Sequence, residues 1–389
     1  MYKWERVQSR RLSNGEGHYF FGYYDVCAYG GKGSFHLAHR TSFAGRIPER
    51  TESCEIGILD GESGAFTALA ETRAWNFQQG AMLQWRPQHA DREILFNSYG
   101  DNGSLCGVMM NVANGTSRTL PLPIACVSLD GRYALSVSFG RMFQFRPGYG
   151  YAGADAEHDR KLAPEEDGVY LLDLESGTCR LALSLRQLQS FTQGYMPGED
   201  IKLLVNHLTF NNDGSRFVML LRNFPSQGRT WGTVVVTANR DGSGLFAKKD
   251  AYSFASHYYW KNERELLIYS DGPQGNQLYE WQDCSAHIRT IDMGYFRKDG
   301  HCSYSPDRQW LLYDSYPDEN RMQHLYLYHP ASGRGMTLGS YSAMPSELDA
   351  RCDLHPRWNY AGTHISFDST HEGSRQIYEM DLRKVMSEW

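Results

Sequence analysis

The 389-residue sequence has no long hydrophobic run. Its longest apolar stretches, such as 217–221, are far shorter than the roughly 20 residues that a membrane-spanning helix needs. Residues 1–6 contain neither the apolar segment nor the small-residue cleavage site of a secretory signal. We therefore expect a cytoplasmic protein without a membrane partner.

The sequence also lacks a surplus of positive charge and paired cysteines. Its 39 Lys and Arg residues against 45 Asp and Glu residues give a formal net charge of -6. A nucleic-acid-binding protein normally carries a basic surplus, so nucleic acid is not an expected partner. The 8 Cys residues are scattered without a CxxC pair. This scatter indicates free thiols, one of which could bind a metal.

Aromatic residues and glycines are plentiful instead, with 25 Tyr, 18 Phe, 9 Trp and 38 Gly. Such a composition favours many short strands joined by tight turns. Hydrophobic residues make up 41% and charged residues 22% of the chain. These fractions are ordinary for a folded globular protein, and they exclude a disordered chain or a coiled coil.

An internal repeat predicts the fold. Four segments, which we call heads, begin with His, carry an aromatic residue three positions later, and continue through a turn into a hydrophobic strand; they are 207–214, 257–264, 301–308 and 355–362. Three weaker heads without the His are 23–30, 82–89 and 124–131. Seven strand-and-turn segments, which we call tails, alternate strictly with the heads; they are 56–64, 108–115, 169–177, 234–242, 278–284, 325–333 and 377–384.

A head and a tail at a spacing of roughly 40–60 residues are typical of one blade of a β-propeller. We therefore predict an all-β protein, a seven-bladed β-propeller that forms a single domain over 1–389. The third blade should carry a long loop insertion at about 139–200, and the segment before Tyr23 could add an edge strand to the last blade. Two stacked β-sandwiches are the alternative, but they do not explain the equal numbers of heads and tails.

The His that opens four of the heads indicates a site in the central channel. The innermost strands of a propeller line this channel, so His207, His257, His301 and His355 should approach one mouth of it. A packing role copied by the repeat is the alternative. Cys352 stands three residues before His355, and a thiolate with imidazoles suits a borderline-soft divalent ion. We predict a metal site of His257, His301, Cys352 and His355, with Asp353 as a ligand or supporting group. Zinc is the first choice, and manganese and calcium are alternatives.

Other polar and aromatic residues are candidates for saccharide contacts. Gln79 precedes the second head, where it would cap a strand or bind sugar hydroxyls. Arg141 and Arg146, with Tyr149 and Tyr151, lie in the insertion of the third blade. A stiff turn with aromatic packing is the alternative for 146–151.

The head–tail repeat resembles the β-propeller polysaccharide lyases, which include oligogalacturonate lyase and the propeller ulvan lyases. The resemblance rests on Arg-Cys-Asp-Leu-His-Pro-Arg-Trp at 351–358 and Gly-His-Cys-Ser-Tyr-Ser-Pro-Asp at 300–307. It covers most of the chain from about Gly17. It implies an enzyme that cleaves uronate-containing glycans by β-elimination, with an acidic oligosaccharide as its partner. This chemistry needs a cation on the uronate carboxylate, a base for the C5 proton and an acid for the leaving oxygen.

The resemblance allows two assignments of roles. Similarity to oligogalacturonate lyase makes His301 and His355 metal ligands and His257 the base, although Cys352 and Asp353 stand where that enzyme has a further Gln and His. Similarity to the ulvan lyases makes His257, His301, Cys352 and His355 a structural zinc site. We prefer the second assignment.

In the second assignment the catalytic residues are His18, His39, Tyr151 and Arg141, and the substrate-binding residues are Arg146, Tyr149, Gln79, His207 and Arg222. Tyr149 is an alternative to Tyr151 as the acid, and Arg146 and Arg222 are alternatives to Arg141 as the carboxylate clamp. The competing function is a non-catalytic propeller that binds sugars or proteins and keeps its metal for stability.

Overall fold

The strands of this chain group into seven small sheets. The computed structural model describes residues 3–4, 7–154, 158, 160–193, 201–225, 231–248, 254–292 and 294–388. Within these ranges each sheet pairs strands that follow one another in the chain, and the sheets form a ring of blades. The predicted seven-bladed β-propeller is therefore confirmed.

Two strands precede the first blade, β1 (Lys3–Trp4) and β2 (Ser9–Arg11). Blade 1 contains β3 (His18–Phe20), β4 (Phe35–Thr41), β5 (Cys54–Asp60) and β6 (Phe66–Thr72). Blade 2 contains β7 (Gln84–Trp85), β8 (Glu93–Tyr99), β9 (Leu105–Asn111) and β10 (Ser117–Leu120). Blade 3 contains β11 (Cys126–Val127), β12 (Tyr133–Ser136), β13 (Gly168–Asp173) and β14 (Cys179–Ser184).

The next four blades follow the same order. Blade 4 contains β15 (Leu203–Phe210), β16 (Arg216–Asn223), β17 (Thr233–Asn239) and β18 (Phe246–Lys248). Blade 5 contains β19 (Ala255–Trp260), β20 (Glu265–Ser270), β21 (Gln277–Gln282) and β22 (Ile288–Thr290). Blade 6 contains β23 (Cys302–Tyr304), β24 (Leu311–Asp314), β25 (Met322–His329) and β26 (Arg334–Ser342). Blade 7 contains β27 (Arg357–Trp358), β28 (His364–Ser369) and β29 (Gln376–Asp381).

The strand β2 closes the ring. It pairs antiparallel with β29, so the last blade also has four strands. The predicted edge strand from the N-terminal segment is thereby confirmed. The sequence did not predict β1, which pairs parallel with β26 and gives blade 6 a fifth strand.

The core lies between the blades. In β16 and β17 almost every side chain is buried, because neighbouring blades cover both faces of the sheet. A strand covered on both faces reads as a continuous hydrophobic run rather than an alternating one, which explains the apolar stretch at 217–221.

Buried polar side chains near the end of the second strand join one blade to the next. Asn97 accepts a hydrogen bond from the Ile124 N–H at 2.7 Å. Asp314 accepts one from the His355 N–H at 3.1 Å, and Asp368 accepts one from the Phe21 N–H of blade 1 at 3.3 Å. The bonds to Ile124 and His355 fix the first residues of two heads, and the bond to Phe21 fixes the chain between β3 and the head that begins at Tyr23.

The region predicted as an insertion contains two helices. Helix α1 (Phe139–Phe145) follows β12 and leads into a 3-10 turn (Pro147–Tyr149), and α2 (Leu185–Phe191) follows β14. Ser184 and Gln187 form a capping box at the start of α2. The range 139–200 also includes β13 and β14 of blade 3, while 155–157, 159 and 194–200 lie outside the described residues.

A third helix, α3 (Arg383–Ser387), ends the described chain. Among the described residues, no helix has both the length and the apolar character to cross a membrane.

Candidate functional site

The His residues of four successive heads converge at the centre of the ring. The rings of His257 and His301 lie 4.1 Å apart between centroids, and those of His301 and His355 lie 4.2 Å apart. His207 joins them through Tyr23, which stacks on it at 5.0 Å and contacts the His355 ring at 5.2 Å. The structure therefore brings together all four His residues that the repeat singled out.

The backbone at the head position is unusual. His207 and His355 have φ values of 50° and 42°, and Met82, the corresponding residue of blade 2, has a φ of 53°. A non-glycine residue in this left-handed region costs on the order of 1–3 kcal/mol, and such strain often marks functional sites. The register of β15 on β16 shifts at the same point, which places His207 at a bulge.

Three of the buried side chains form a possible metal site. The ligand atoms of His301, Asp353 and His355 all lie within 4.8 Å of one another. The Nε2 atoms of the two His residues are 3.1 Å apart, and Asp353 Oδ2 lies 4.0 Å from Nε2 of His355. Two imidazole nitrogens and a carboxylate oxygen are a suitable donor set for a divalent transition metal.

The surroundings of His301 and His355 favour the neutral imidazoles that bind metals. Asp314 lies 2.9 Å from Nδ1 of His301, so we assign the proton to Nδ1, which leaves the Nε2 lone pair free. Burial and the neighbouring imidazoles hold the pKa values of His301 and His355 well below 6.5. Nδ1 of His355 has no hydrogen-bond partner among the described residues. Neutral imidazoles are the metal-binding form, and these residues therefore fit a divalent cation.

Cys352 does not contribute to this cluster. Its Sγ lies 3.8 Å from the backbone oxygen of Asp353 and is absent from the converging ligand atoms. Burial raises the pKa of its thiol to about 12, which disfavours the thiolate that binds metals. Asp353 and His355, two positions apart, face the cluster together. The structure thus replaces the predicted Cys352 by Asp353, and it offers no thiolate that would favour zinc over other divalent ions.

His257 lies beside the cluster in an arrangement that suits proton transfer. Its Nδ1 is 3.0 Å from Oδ1 of Asp299 and 3.1 Å from Oγ of Ser256, and its Nε2 is 3.3 Å from the hydroxyl of Tyr316. Burial raises the pKa of Asp299, but its interactions with His257 and Ser256 outweigh burial and lower it. An ionised Asp299 holds the proton of His257 on Nδ1, and Nε2 can then accept a proton.

Three arginines surround the same region. Arg146 pairs with Asp349 at 2.6 Å, and Arg351 pairs with Asp353 at 2.8 Å. Arg222 is buried, its one hydrogen bond goes to a backbone oxygen at 3.3 Å, and its Nε has no partner among the described residues. Burial and the nearby Arg146 lower the pKa of Arg222. A buried guanidinium without a carboxylate is a strong site for an anionic ligand.

Of the predicted substrate-binding residues, four gather here. Tyr149 lies edge-on to His207 at 5.5 Å, its hydroxyl is 3.5 Å from Arg351, and Arg146 lies over its ring at 4.5 Å. Arg222 completes this group. Gln79 lines a cavity of the channel whose lining also includes Tyr23 and His207.

The predicted catalytic residues His18 and His39 do not join this site. Nδ1 of His18 accepts a hydrogen bond from the Arg375 N–H at 3.1 Å. His39 is fully buried, stacks on Phe20 at 4.8 Å, and accepts the Ala81 N–H on Nε2 at 3.0 Å. Both rings thus accept backbone N–H groups from the neighbouring blades, of Arg375 in blade 7 and of Ala81 just before blade 2.

Tyr151 and Arg141 are also engaged elsewhere. The hydroxyl of Tyr151 accepts a hydrogen bond from the Asn97 side chain at 3.0 Å, and its ring stacks on Phe139 at 4.4 Å. Arg141 is buried, and its guanidinium donates to backbone oxygens, including those of Leu203 at 2.5 Å and Leu162 at 2.7 Å. These contacts hold α1 against blade 4.

Several residues of the site were missed in the sequence. Tyr23 takes the place of the His in the first head, so the repeat itself carried a signal for it. Tyr24 follows and packs its ring 5.1 Å from that of His301. Asp299 precedes β23, Asp314 is the last residue of β24 and Tyr316 follows it, and no motif in the sequence marks them.

Comparisons with known proteins give a fold but no family. No family model and no curated protein matches the chain. An oligogalacturonate lyase in complex with manganese is 15% identical with a TM-score of 0.69, over 98% of this chain and 94% of that one. Oligogalacturonate lyase from Vibrio parahaemolyticus is 14% identical with a TM-score of 0.66, over 97% of this chain and 94% of that one.

The same fold also serves other functions. A puromycin-hydrolysing peptidase of Mycobacterium tuberculosis is 14% identical with a TM-score of 0.56, over 96% of this chain and 55% of that one. At these identities the likeness establishes the propeller fold, which confirms the fold resemblance to oligogalacturonate lyases, and the activity has to be argued from the site.

Proposed function

We propose that this protein is a lyase that cleaves uronate-containing oligosaccharides by β-elimination, with a divalent metal held by His301, Asp353 and His355. The observation that carries the proposal is the position of the His257 imidazole. It is oriented by Asp299, and it lies next to both the metal cluster and the tyrosines of the channel. The similarity in fold to oligogalacturonate lyases supports the same reaction class.

A bound divalent cation would supply positive charge that neutralises the uronate carboxylate and so acidifies the C5 proton. Arg222 supplies the second positive charge. Its buried guanidinium has no carboxylate partner among the described residues, so it gains most from pairing with an anionic sugar.

His257 is the base and Tyr149 the acid in this proposal. Nε2 of His257 takes the proton from C5, the bond between C4 and the glycosidic oxygen breaks, and a double bond forms between C4 and C5. Tyr149 donates its phenolic proton to the leaving oxygen. The Arg351 guanidinium lies 3.5 Å from this hydroxyl and stabilises the phenolate that results.

Substitution of His257 tests the assignment of the base. We expect His257→Gln to lower turnover at least a hundredfold, because general base catalysis typically contributes about 10²–10⁴ in rate. The readout is the ultraviolet absorbance of the unsaturated uronate product, measured over a panel of uronate oligosaccharides. Circular dichroism and metal content should stay at the wild-type values.

A matched control comes from an exposed imidazole. His287 lies on the surface of blade 5, and His287→Gln should keep full activity. Full activity of His257→Gln would contradict its role as the base. If the wild-type protein formed no unsaturated product on any substrate while it still bound the sugars, the non-catalytic sugar-binding module would replace the lyase as the proposed function.

A further inference from the structure

A cavity in the channel is lined at one end by Tyr23, Tyr24 and His207. It has a volume of about 600 Å³, within the usual range for small-molecule sites. Its lining includes turns between the innermost and second strands of blades, at Leu129, Asn212 and Tyr360. Tyr23 and Tyr24, which line it as well, also contact the His cluster, with ring centroids 5.2 Å from His355 and 5.1 Å from His301.

Aromatic rings form much of the wall of this cavity, and their positions are fixed. Trp85 and Trp260 are almost completely buried. Their indole nitrogens donate to backbone oxygens, of Ala28 at 3.2 Å and of Thr209 at 3.1 Å. Such rings present their faces or edges to a ligand without first losing rotational freedom.

One carboxyl group stands in this aromatic surrounding. Asp25 is the only acidic side chain among the described residues that line the cavity, and that lining contains no Lys or Arg. Oδ2 of Asp25 accepts a hydrogen bond from the Thr209 hydroxyl at 3.1 Å. Burial raises the pKa of this carboxyl to about 6, and the hydrogen bond from Thr209 offsets the effect of burial only in part.

We propose that this cavity binds a small organic cation, with an ammonium or quaternary ammonium group between the Asp25 carboxylate and the aromatic rings. Aromatic faces attract cations through their quadrupoles, most strongly where water is excluded, and the carboxylate adds a full opposite charge. An organic anion would meet Asp25 without a Lys or Arg of the described lining to offset its charge. The described lining of this cavity contains neither His257 nor a metal ligand, and it shares His207 with the group around Tyr149.

Isothermal titration calorimetry with choline tests this proposal. The uncharged probe for comparison is the alcohol in which a tert-butyl group replaces the trimethylammonium group, because it keeps the shape and removes the charge. We expect one choline per chain and at least tenfold weaker binding of the uncharged alcohol. Asp25→Asn should weaken choline binding at least tenfold and leave binding of the alcohol unchanged.

Two further variants keep the test decisive if Asp25→Asn folds poorly. Tyr360 is 48% exposed, so Tyr360→Ala should fold normally and weaken choline binding. Tyr316→Phe alters the other side of the channel and should leave choline affinity unchanged. Equal binding of the two probes, no binding of choline, or choline affinity that survives both Asp25→Asn and Tyr360→Ala would overturn the proposal.

Discussion

Asp314 shows how a single buried carboxyl group can organise a site. It accepts the His301 N–H at 2.7 Å and the His355 N–H at 3.1 Å, and it also contacts Nδ1 of His301. It thus positions the backbone of two heads and selects the tautomer of one metal ligand. Asp299 likewise selects the tautomer of His257. The chemistry of the His residues in this channel depends on carboxylates that lie behind them.

The first prediction at this scale concerns the metal ligands. Asp353→Asn should lower the bound divalent metal several-fold, because a neutral amide oxygen replaces a carboxylate next to two imidazoles. Cys352→Ser is the matched control and should retain the metal, because the thiol does not reach the cluster. Elemental analysis of the purified variants measures both, and it also distinguishes zinc from manganese and calcium. If Cys352→Ser lost the metal and Asp353→Asn kept it, the result would support the thiolate site predicted from the sequence.

The second prediction concerns His36, whose imidazole is buried between Leu37 and Ser366. Burial and the nearby Arg357 lower its pKa to about 3. Between pH 6.5 and 3 the unfolded chain therefore binds a proton that the folded protein does not, and stability falls with the pH. Relative to pH 7.5, this group should remove about 2 kcal/mol of unfolding free energy at pH 5.

Denaturant unfolding at the two pH values measures this loss. His36→Gln should show a smaller loss than the wild type, because the titrating group is gone, whereas His287→Gln should show the wild-type loss. An identical pH dependence in wild type and His36→Gln would show that His36 is not buried in its neutral form.

At the scale of elements, the ring depends on a short strand at its start. The backbone N–H of Leu12, just after β2, donates to Ile377 at 2.8 Å, and its side chain is buried. Arg10 adds an ion pair with Glu379 at 2.7 Å, but Arg10 is mostly exposed, and such pairs contribute little. Closure of the ring therefore rests on the strand pairing and on the burial of Leu12.

Leu12→Ala tests this closure. We expect a loss of about 2–5 kcal/mol of unfolding free energy, because a buried Leu is truncated and leaves a cavity. The neighbouring exposed residue provides the control, and Gln8→Ala should change stability by less than about 0.5 kcal/mol. Thermal unfolding followed by circular dichroism measures both variants. A stability of Leu12→Ala equal to that of the wild type would mean that β2 does not hold blade 7 closed.

At the scale of the whole molecule, the sequence predicts the features that recur from one repeat to the next. The counts of heads and tails predict seven blades, and the His of four heads predicts a cluster in the channel, because both depend on local patterns. The choice between Cys352 and Asp353 does not follow from spacing alone, since it depends on which side chain turns towards His301. The burial of His39 behind Phe20 and the approach of Asp299 and Tyr316 to His257 depend on contacts between distant segments.

The central claim is that the His cluster supports a metal-assisted β-elimination. The most direct test is the ultraviolet absorbance of a uronate oligosaccharide mixture incubated with the purified protein, after chelation and again after a divalent metal is restored. The proposed function predicts a rise in absorbance with metal, no rise after chelation, and recovery with the metal at unchanged circular dichroism. A rise that persists in the metal-free, folded protein would contradict a role of the cluster in the reaction, and no rise under any condition would contradict the lyase itself.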